Sequence, residues 1–216
     1  PMPTPTYWWP TSDRRQTPRP SSSRLLSSFP VPSLRLEREL WQRGLVRVVG
    51  VDEVGMAALA GPVVAAACLV VPGCRLIRAV RDSKVLTRRQ REELVPVIRE
   101  RVVRIGIGAA SVAEIHRLNI YHASHLAMQR ALRQVGDYDW VLVDGRRILD
   151  TTFVPGMHTE VVRGDAKSFA IAAASIVAKV TRDGLMTKLA QRFPGYGWEH
   201  NAGYPTIDHR AALRAR

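Results

Sequence analysis

Residues 50–57 read GVDEVGMA: two adjacent acids, Asp52 and Glu53, close the apolar run LVRVVGV and are followed by Val54 and Gly55. A valine-rich run of that length predicts a buried strand, and Asp with Gly is ordinary turn chemistry. Taken alone, the octet is a strand with a polar turn after it. Two later stretches repeat the theme, WVLVDG ending on Asp144 and TEVVRGD ending on Asp165. Three strands that end in acids can bring four carboxylates to one end of a sheet, where loops on a rigid scaffold carry chemistry. Carboxylates gathered in this way repel each other unless a cation lies among them. Hard divalent ions such as Mg²⁺ or Mn²⁺ take oxygen ligands, and a pair about 3.5 to 4 Å apart stabilises both the attacking and the leaving oxygen at a phosphate. Acids at strand ends are also common in solvated loops, so spacing alone leaves both readings open.

Working outward, LRLERELWQRG predicts a short amphipathic helix closed by Gly44, and PVVAAACLVV a second strand stopped by Pro72-Gly73. Val54 to Cys74 forms twenty-one residues without a charge, long enough to span a bilayer if helical. Gly55, Gly61, Pro62, Pro72 and Gly73 break it into a turn and a strand, so no membrane span is expected. Thr87 with Gln90 and Ser111 with Glu114 each form a capping box that opens a helix. Pro96 is expected to kink the first of these, and RIGIGAA between them is a brief strand. KSFAIAAASIVAKVTRDGLMTKLAQRF predicts a long helix whose Ala170, Ala173, Ala174 and Ala178 permit close packing, and the chain closes on an aromatic, glycine-rich loop and a short basic helix.

At 216 residues and 46% hydrophobic, the chain can bury a real core. Its formal net charge is +13, with 28 Arg against 4 Lys. Such a field suits polyanions, nucleic acid foremost, although acidic protein or lipid partners also fit charge alone. Residues 1–33 hold 8 of the 14 prolines in a Ser/Thr/Arg background and are expected to form a disordered basic tail. Trp8 and Trp9 within it could stack on bases, but an accidental pair is the plainer reading. Cys68 and Cys74 suggest neither a zinc site nor a disulfide framework, which points to a reduced, cytoplasmic compartment. The six histidines show no ligand-like cluster.

The motifs GVDEVG, AGPVVAAA, DSKVLT, LNIYHASHLAMQRAL, LVDG, RGDAKSFAIAAASIVAKVTRD and FPGYGWEHNAGYPT occur in this order. Together they resemble type 2 ribonuclease H, ribonuclease HII, from about Leu34 to the C-terminal end. The resemblance implies an α/β, RNase H-like fold for residues 34–216, a mixed central sheet flanked by helices with a C-terminal helical portion. It implies a monomeric metal-dependent endoribonuclease that cuts the RNA strand of RNA-DNA hybrids and nicks duplex DNA 5′ of embedded ribonucleotides. The ends left are 3′-hydroxyl and 5′-phosphate, and the role is ribonucleotide removal during DNA replication and repair. Carried over by motif, the catalytic, metal-binding acids are Asp52, Glu53, Asp144 and Asp165, with Mg²⁺ or Mn²⁺ as cofactor. Ser83 and Lys84 of DSK correspond to phosphate contacts, and Gly55, Met56, Ala57 and Tyr204 to the group that reads the 2′-hydroxyl. Asp183 of VTRD also matches a family position but reads as a helix residue paired with a neighbouring Arg or Lys.

The chain departs from the pattern at two places. Gly55-Met56-Ala57 stands where the family has Gly-Arg-Gly, which removes a cation and adds a methyl where a positive φ or close backbone approach is expected. The helix matching HRAALRAR is not followed by the further basic segment common in relatives. An active enzyme with weakened recognition of the RNA·DNA junction is therefore expected. A hybrid-binding protein with weak catalysis, or a transposase- or resolvase-like nuclease that cuts plain DNA, are the competing readings.

Overall fold

The valine-rich runs around 50 and 67 carry too little polarity to face water on either side, and both become enclosed central strands. The computed structural model describes residues 31–145 and 158–216; Trp8, Trp9 and most of the basic tail lie outside them. The elements are α1 (Arg35–Gln42), β1 (Val48–Val54), β2 (Val63–Val70), α2 (Arg88–Arg101), β3 (Arg104–Ala110), α3 (Val112–Val135), β4 (Trp140–Asp144) and β5 (His158–Val161). A single 3₁₀ turn (Gly164–Ala166) then leads into α4 (Phe169–Arg192), α5 (Trp198–Asn201) and α6 (Ile207–Ala215).

The strands form one sheet in the order β3-β2-β1-β4-β5. β1 pairs antiparallel with β2, and β2 with β3, whereas β1 to β4 and β4 to β5 are parallel. The sheet is thus mixed, as the resemblance implied. Side chains alternate across it. Val48, Ala66, Cys68, Val70 and Leu142 meet the small-residue face of α4, and Val49, Val51, Ala65, Ala67, Val141 and Val143 meet α3. Gly50 shows how tight the α4 side is: a Cβ there would stand 2.2 Å from the Ala170 carbonyl carbon, well inside van der Waals contact.

Both capping boxes form as expected, and α2 continues through Pro96 to Arg101. Three expectations change. The segment from Val112 to Val135 is two helical pieces meeting at Asn119 (φ 66°, ψ 167°). There the Asn119 Oδ1 accepts from the Tyr121 and His122 N–H groups, capping the second piece. Asp165 does not end a strand: β5 stops at Val161, and Asp165 sits on the 3₁₀ turn beyond it. Ser33, assigned to the tail on composition, is ordered backbone that exchanges hydrogen bonds with Lys167 and Phe169 at the start of α4. The uncharged stretch from Val54 to Cys74 resolves into a loop and β2, and no described helix is long and apolar enough to cross a membrane.

Candidate functional site

The parallel pairing of β1 with β4 builds the site. Their last register pair is Val51 with Val143, so the next residue along each strand, Asp52 and Asp144, emerges beside the other at the same sheet end. Asp52 is buried, and its Oδ1 accepts the Glu53 N–H at 2.8 Å. A second support comes from α4: the Ser175 hydroxyl hydrogen-bonds to Asp52, and Ser83 Oγ lies 2.7 Å from Ser175 Oγ. Asp144 Oδ1 accepts the Gly164 N–H at 2.6 Å, which pins the end of β4 to the turn bearing Asp165. Arg163, in the left-handed conformation (φ 56°, ψ 47°), reverses the chain into that turn. Asp165 is buried, with Oδ2 3.6 Å from the Lys84 ammonium.

These carboxylates hold one another in check. Burial first, then the charges of Glu53 and Asp144, push Asp52 well above the usual carboxylate range. Glu53 rises to about 7, by burial and then by Asp144. Asp165 is raised by burial and by Asp144 and Asp82. Lys84 feels the opposite pull: partial burial would lower it, but the surrounding acids, Asp165 first, leave it raised. The group is therefore a concentration of negative potential with the Lys84 ammonium, 79% exposed, at its edge.

A cleft of about 360 Å³ opens over the acids, lined by Asp52, Glu53, Gly55, Met56, Ala57, Ser83, Lys84, Asp144, Ser175, Lys179 and Tyr204. Every residue expected from the sequence lies on it except Asp165, which stands behind Lys84. Ser83 is buried, with its hydroxyl against that of Ser175, whereas Lys84 beside it is exposed. Asp183 is paired as expected, with Lys179 at 2.8 Å and Arg91 at 3.6 Å.

Ser175, Lys179 and Arg182 were missed. Their spacing of i, i+4 and i+7 puts them on one stripe of α4, visible in SIVAKVTR had that helix been read for its polar face as well as its alanines.

All four acids offer hard oxygen donors, the chemistry that divalent cations of the Mg²⁺ class require. Among the described residues no three acidic, His or Cys side chains already form a closed metal cage. Their carboxylate oxygens are held by the Gly164 N–H, the Glu53 N–H, Ser175 and Lys84. The residues fit such a cation by donor type and by surplus negative charge.

The family model for ribonuclease HII matches residues 49–216. The chain belongs to the ribonuclease HII family. It is 51% identical over 181 residues to the ribonuclease HII of Thermosynechococcus vestitus, covering 84% of each chain. It is 52% identical over 188 residues to that of Granulibacter bethesdensis, covering 85% of this chain and 83% of the relative. The crystal structure of the ribonuclease H2 from Pyrococcus horikoshii superposes with a TM-score of 0.65 at 26% identity, over 77% of this chain and 84% of the other. The fold is accordingly RNase H-like and the protein an endoribonuclease of the ribonuclease H type 2 class.

Within this chain the altered tripeptide takes a specific shape. Gly55 has φ +120°, a conformation that L side chains rarely adopt. Ala57 is not among the described residues of positive φ, so its methyl introduces no backbone strain. Met56 is 40% exposed on the rim of the cleft.

Proposed function

We propose that the cleft hydrolyses the RNA strand of RNA-DNA hybrids and nicks duplex DNA on the 5′ side of embedded ribonucleotides, leaving 3′-hydroxyl and 5′-phosphate ends. The observation that carries this reading is the convergence of Asp52, Glu53 and Asp144 at the parallel ends of β1 and β4, with Asp165 tied to Asp144 through Gly164. Asp52, Glu53, Asp144 and Asp165 would hold Mg²⁺ or Mn²⁺. When bound, a pair of such ions supplies the Lewis acidity that generates a nucleophile from water and offsets charge on the departing oxygen.

The chain's own groups supply the rest. The hydroxyl chain from Ser83 through Ser175 fixes the Asp52 carboxylate. The Gly164 N–H does the same for Asp144. Lys84, long and exposed, leaves Asp165 to meet a backbone phosphate as a point charge. Tyr204 presents a half-buried ring and hydroxyl on the opposite wall, where a 2′-hydroxyl would distinguish RNA from DNA. The net charge of +13 favours capture of the duplex.

The test is a paired cleavage assay with Mg²⁺ or Mn²⁺, using a duplex with one embedded ribonucleotide beside the same duplex in all-DNA form, and Asp144→Asn as control. Metal-dependent nicking of the first alone is expected. Binding without nicking would support the hybrid-binding reading instead, and equal cutting of both a nuclease indifferent to the 2′-hydroxyl.

A further inference from the structure

Arg182, midway along α4, is 0% exposed and makes no direct ion pair among the described residues, although the nearby Tyr204 and Asp183 favour its charged form. Its guanidinium is spent on backbone: Nε donates to the Pro62 carbonyl at 2.9 Å, one terminal nitrogen to Ala202 at 2.8 Å and the other to Ala60 at 2.9 Å. Its central carbon also lies 5.4 Å from the centre of the Tyr204 ring. A buried charge held mainly by carbonyl dipoles is costly, and burial draws the Arg182 pKa down.

The pattern of partners suggests a use. Ala60 and Pro62 end the loop that begins at Gly55-Met56-Ala57, while Ala202 precedes Tyr204; both segments line the cleft. The loops also touch directly, Leu59 N–H donating to the Gly203 carbonyl at 2.8 Å. Two local features accommodate the arginine. A Cβ on Gly55 would stand 2.6 Å from Arg182 Nε, and Ala202 is held in the left-handed region (φ 48°), where its carbonyl meets the guanidinium. The planar fork can bridge three carbonyls at fixed angles in a way that an ammonium cannot.

We propose that Arg182 is a positioning residue that sets the gap between the Gly55–Ala57 segment and Tyr204, and thereby the selectivity for a ribonucleotide seated between them. It touches no reacting atom. The inference rests on the reading of this cleft as the cleavage site.

The experiment measures kcat and KM for Arg182→Lys, Gly203→Ala and Tyr204→Leu, singly, and for the Arg182→Lys/Tyr204→Leu double variant. The substrates are a duplex with one ribonucleotide and a uniform RNA-DNA hybrid, with thermal melting run alongside. Gly203→Ala strikes the same junction from the other side, since its Cβ would meet the Ala60 oxygen at 2.4 Å. Misplacing one wall of the site should lower kcat for the single ribonucleotide by up to about 100-fold with KM little changed. The uniform hybrid should lose less, so that the selectivity ratio falls in both Arg182→Lys and Gly203→Ala. In the Tyr204→Leu background Arg182→Lys should cost little more, because coupled residues are not additive. If Arg182→Lys does not fold, the selectivity ratio of Gly203→Ala decides. Folded variants that lose both substrates equally, or neither, or whose losses add in the double variant, overturn the proposal. Retained cleavage in Asp144→Asn would instead overturn the reading of the cleft itself.

Discussion

At Gly50, β1 lies so near α4 that no side chain fits between them; two residues later the same strand delivers Asp52 into a group of like charges. The first region is a close-packed seam of glycine, alanine and valine in which every contact is favourable. In the second, burial and mutual repulsion hold three carboxylates above their ordinary range. Rigidity in the seam lets the repulsion persist: β1 cannot slide or tilt to separate its acids without breaking contact with α4. Stability is concentrated in one region and electrostatic strain in the other, the arrangement expected of a functional site.

The sharpest way to break this contrast is Asp144→Asn. Asparagine keeps an oxygen for the Gly164 N–H while removing the charge that raises Asp52, Glu53 and Asp165. Cleavage should fall on the order of a thousand-fold, while the metal-free protein gains about 1 kcal/mol of stability. Cleavage kinetics and urea unfolding on one preparation check both, and a variant that loses stability and activity together would contradict the comparison. Gly50→Val attacks the other region. Its branched side chain meets α4 backbone, and a loss of about 3 to 5 kcal/mol in urea unfolding is expected.

A pH series separates the two regions without mutation. Glu53 ordinarily titrates at 4.5 and in the fold near 7. Between those values the folded protein keeps a proton that the unfolded chain has released. Metal-free stability should therefore be greatest below about pH 4.5 as far as this group is concerned and decline as pH rises through 7. Added Mg²⁺ should reverse the decline at pH 8 and do little at pH 5; a metal-free melting temperature that climbs from pH 5 to 8 would argue against the repulsion.

Smaller effects concern the rim. Lys84→Ala removes the partner of Asp165 and a phosphate contact, and should lower kcat/KM about ten-fold, equivalent to one charge-assisted hydrogen bond. It should also flatten the salt dependence of binding. Met56→Arg with Ala57→Gly restores the usual tripeptide and should raise cleavage at a single embedded ribonucleotide by about five-fold or less, the scale of an exposed ionic contact. No gain would show that Gly55 backbone and Tyr204 suffice.

Most of the cleft was legible because its residues lie in short motifs whose chemistry is local. Asp52 and Glu53 follow a valine run, Lys84 sits in DSK, and Tyr204 in NAGYPT. What escaped was whatever depends on a distant partner. Ser83 reads in DSK as a phosphate contact, and nothing local reveals that its hydroxyl lies 2.7 Å from that of Ser175. Arg182 looked like one more of 28 arginines until its three carbonyls came together from residues 60, 62 and 202. Asn119 was hidden inside a helical pattern because its side chain caps a new helix where hydrophobic periodicity runs on.

By itself the sequence determined most of the element types and the family, and it singled out the acids, since propensity, capping and motif words act over a few residues. Only the tertiary structure decided that β1 lies parallel to β4, which sets Asp52 beside Asp144. It alone put Asp165 on a turn held by Asp144 and placed a buried arginine between the two loops that line the cleft. Those are relations between residues some 20 to more than 100 positions apart in the chain, and no short-range pattern encodes them, because they follow from which buried surfaces pack together.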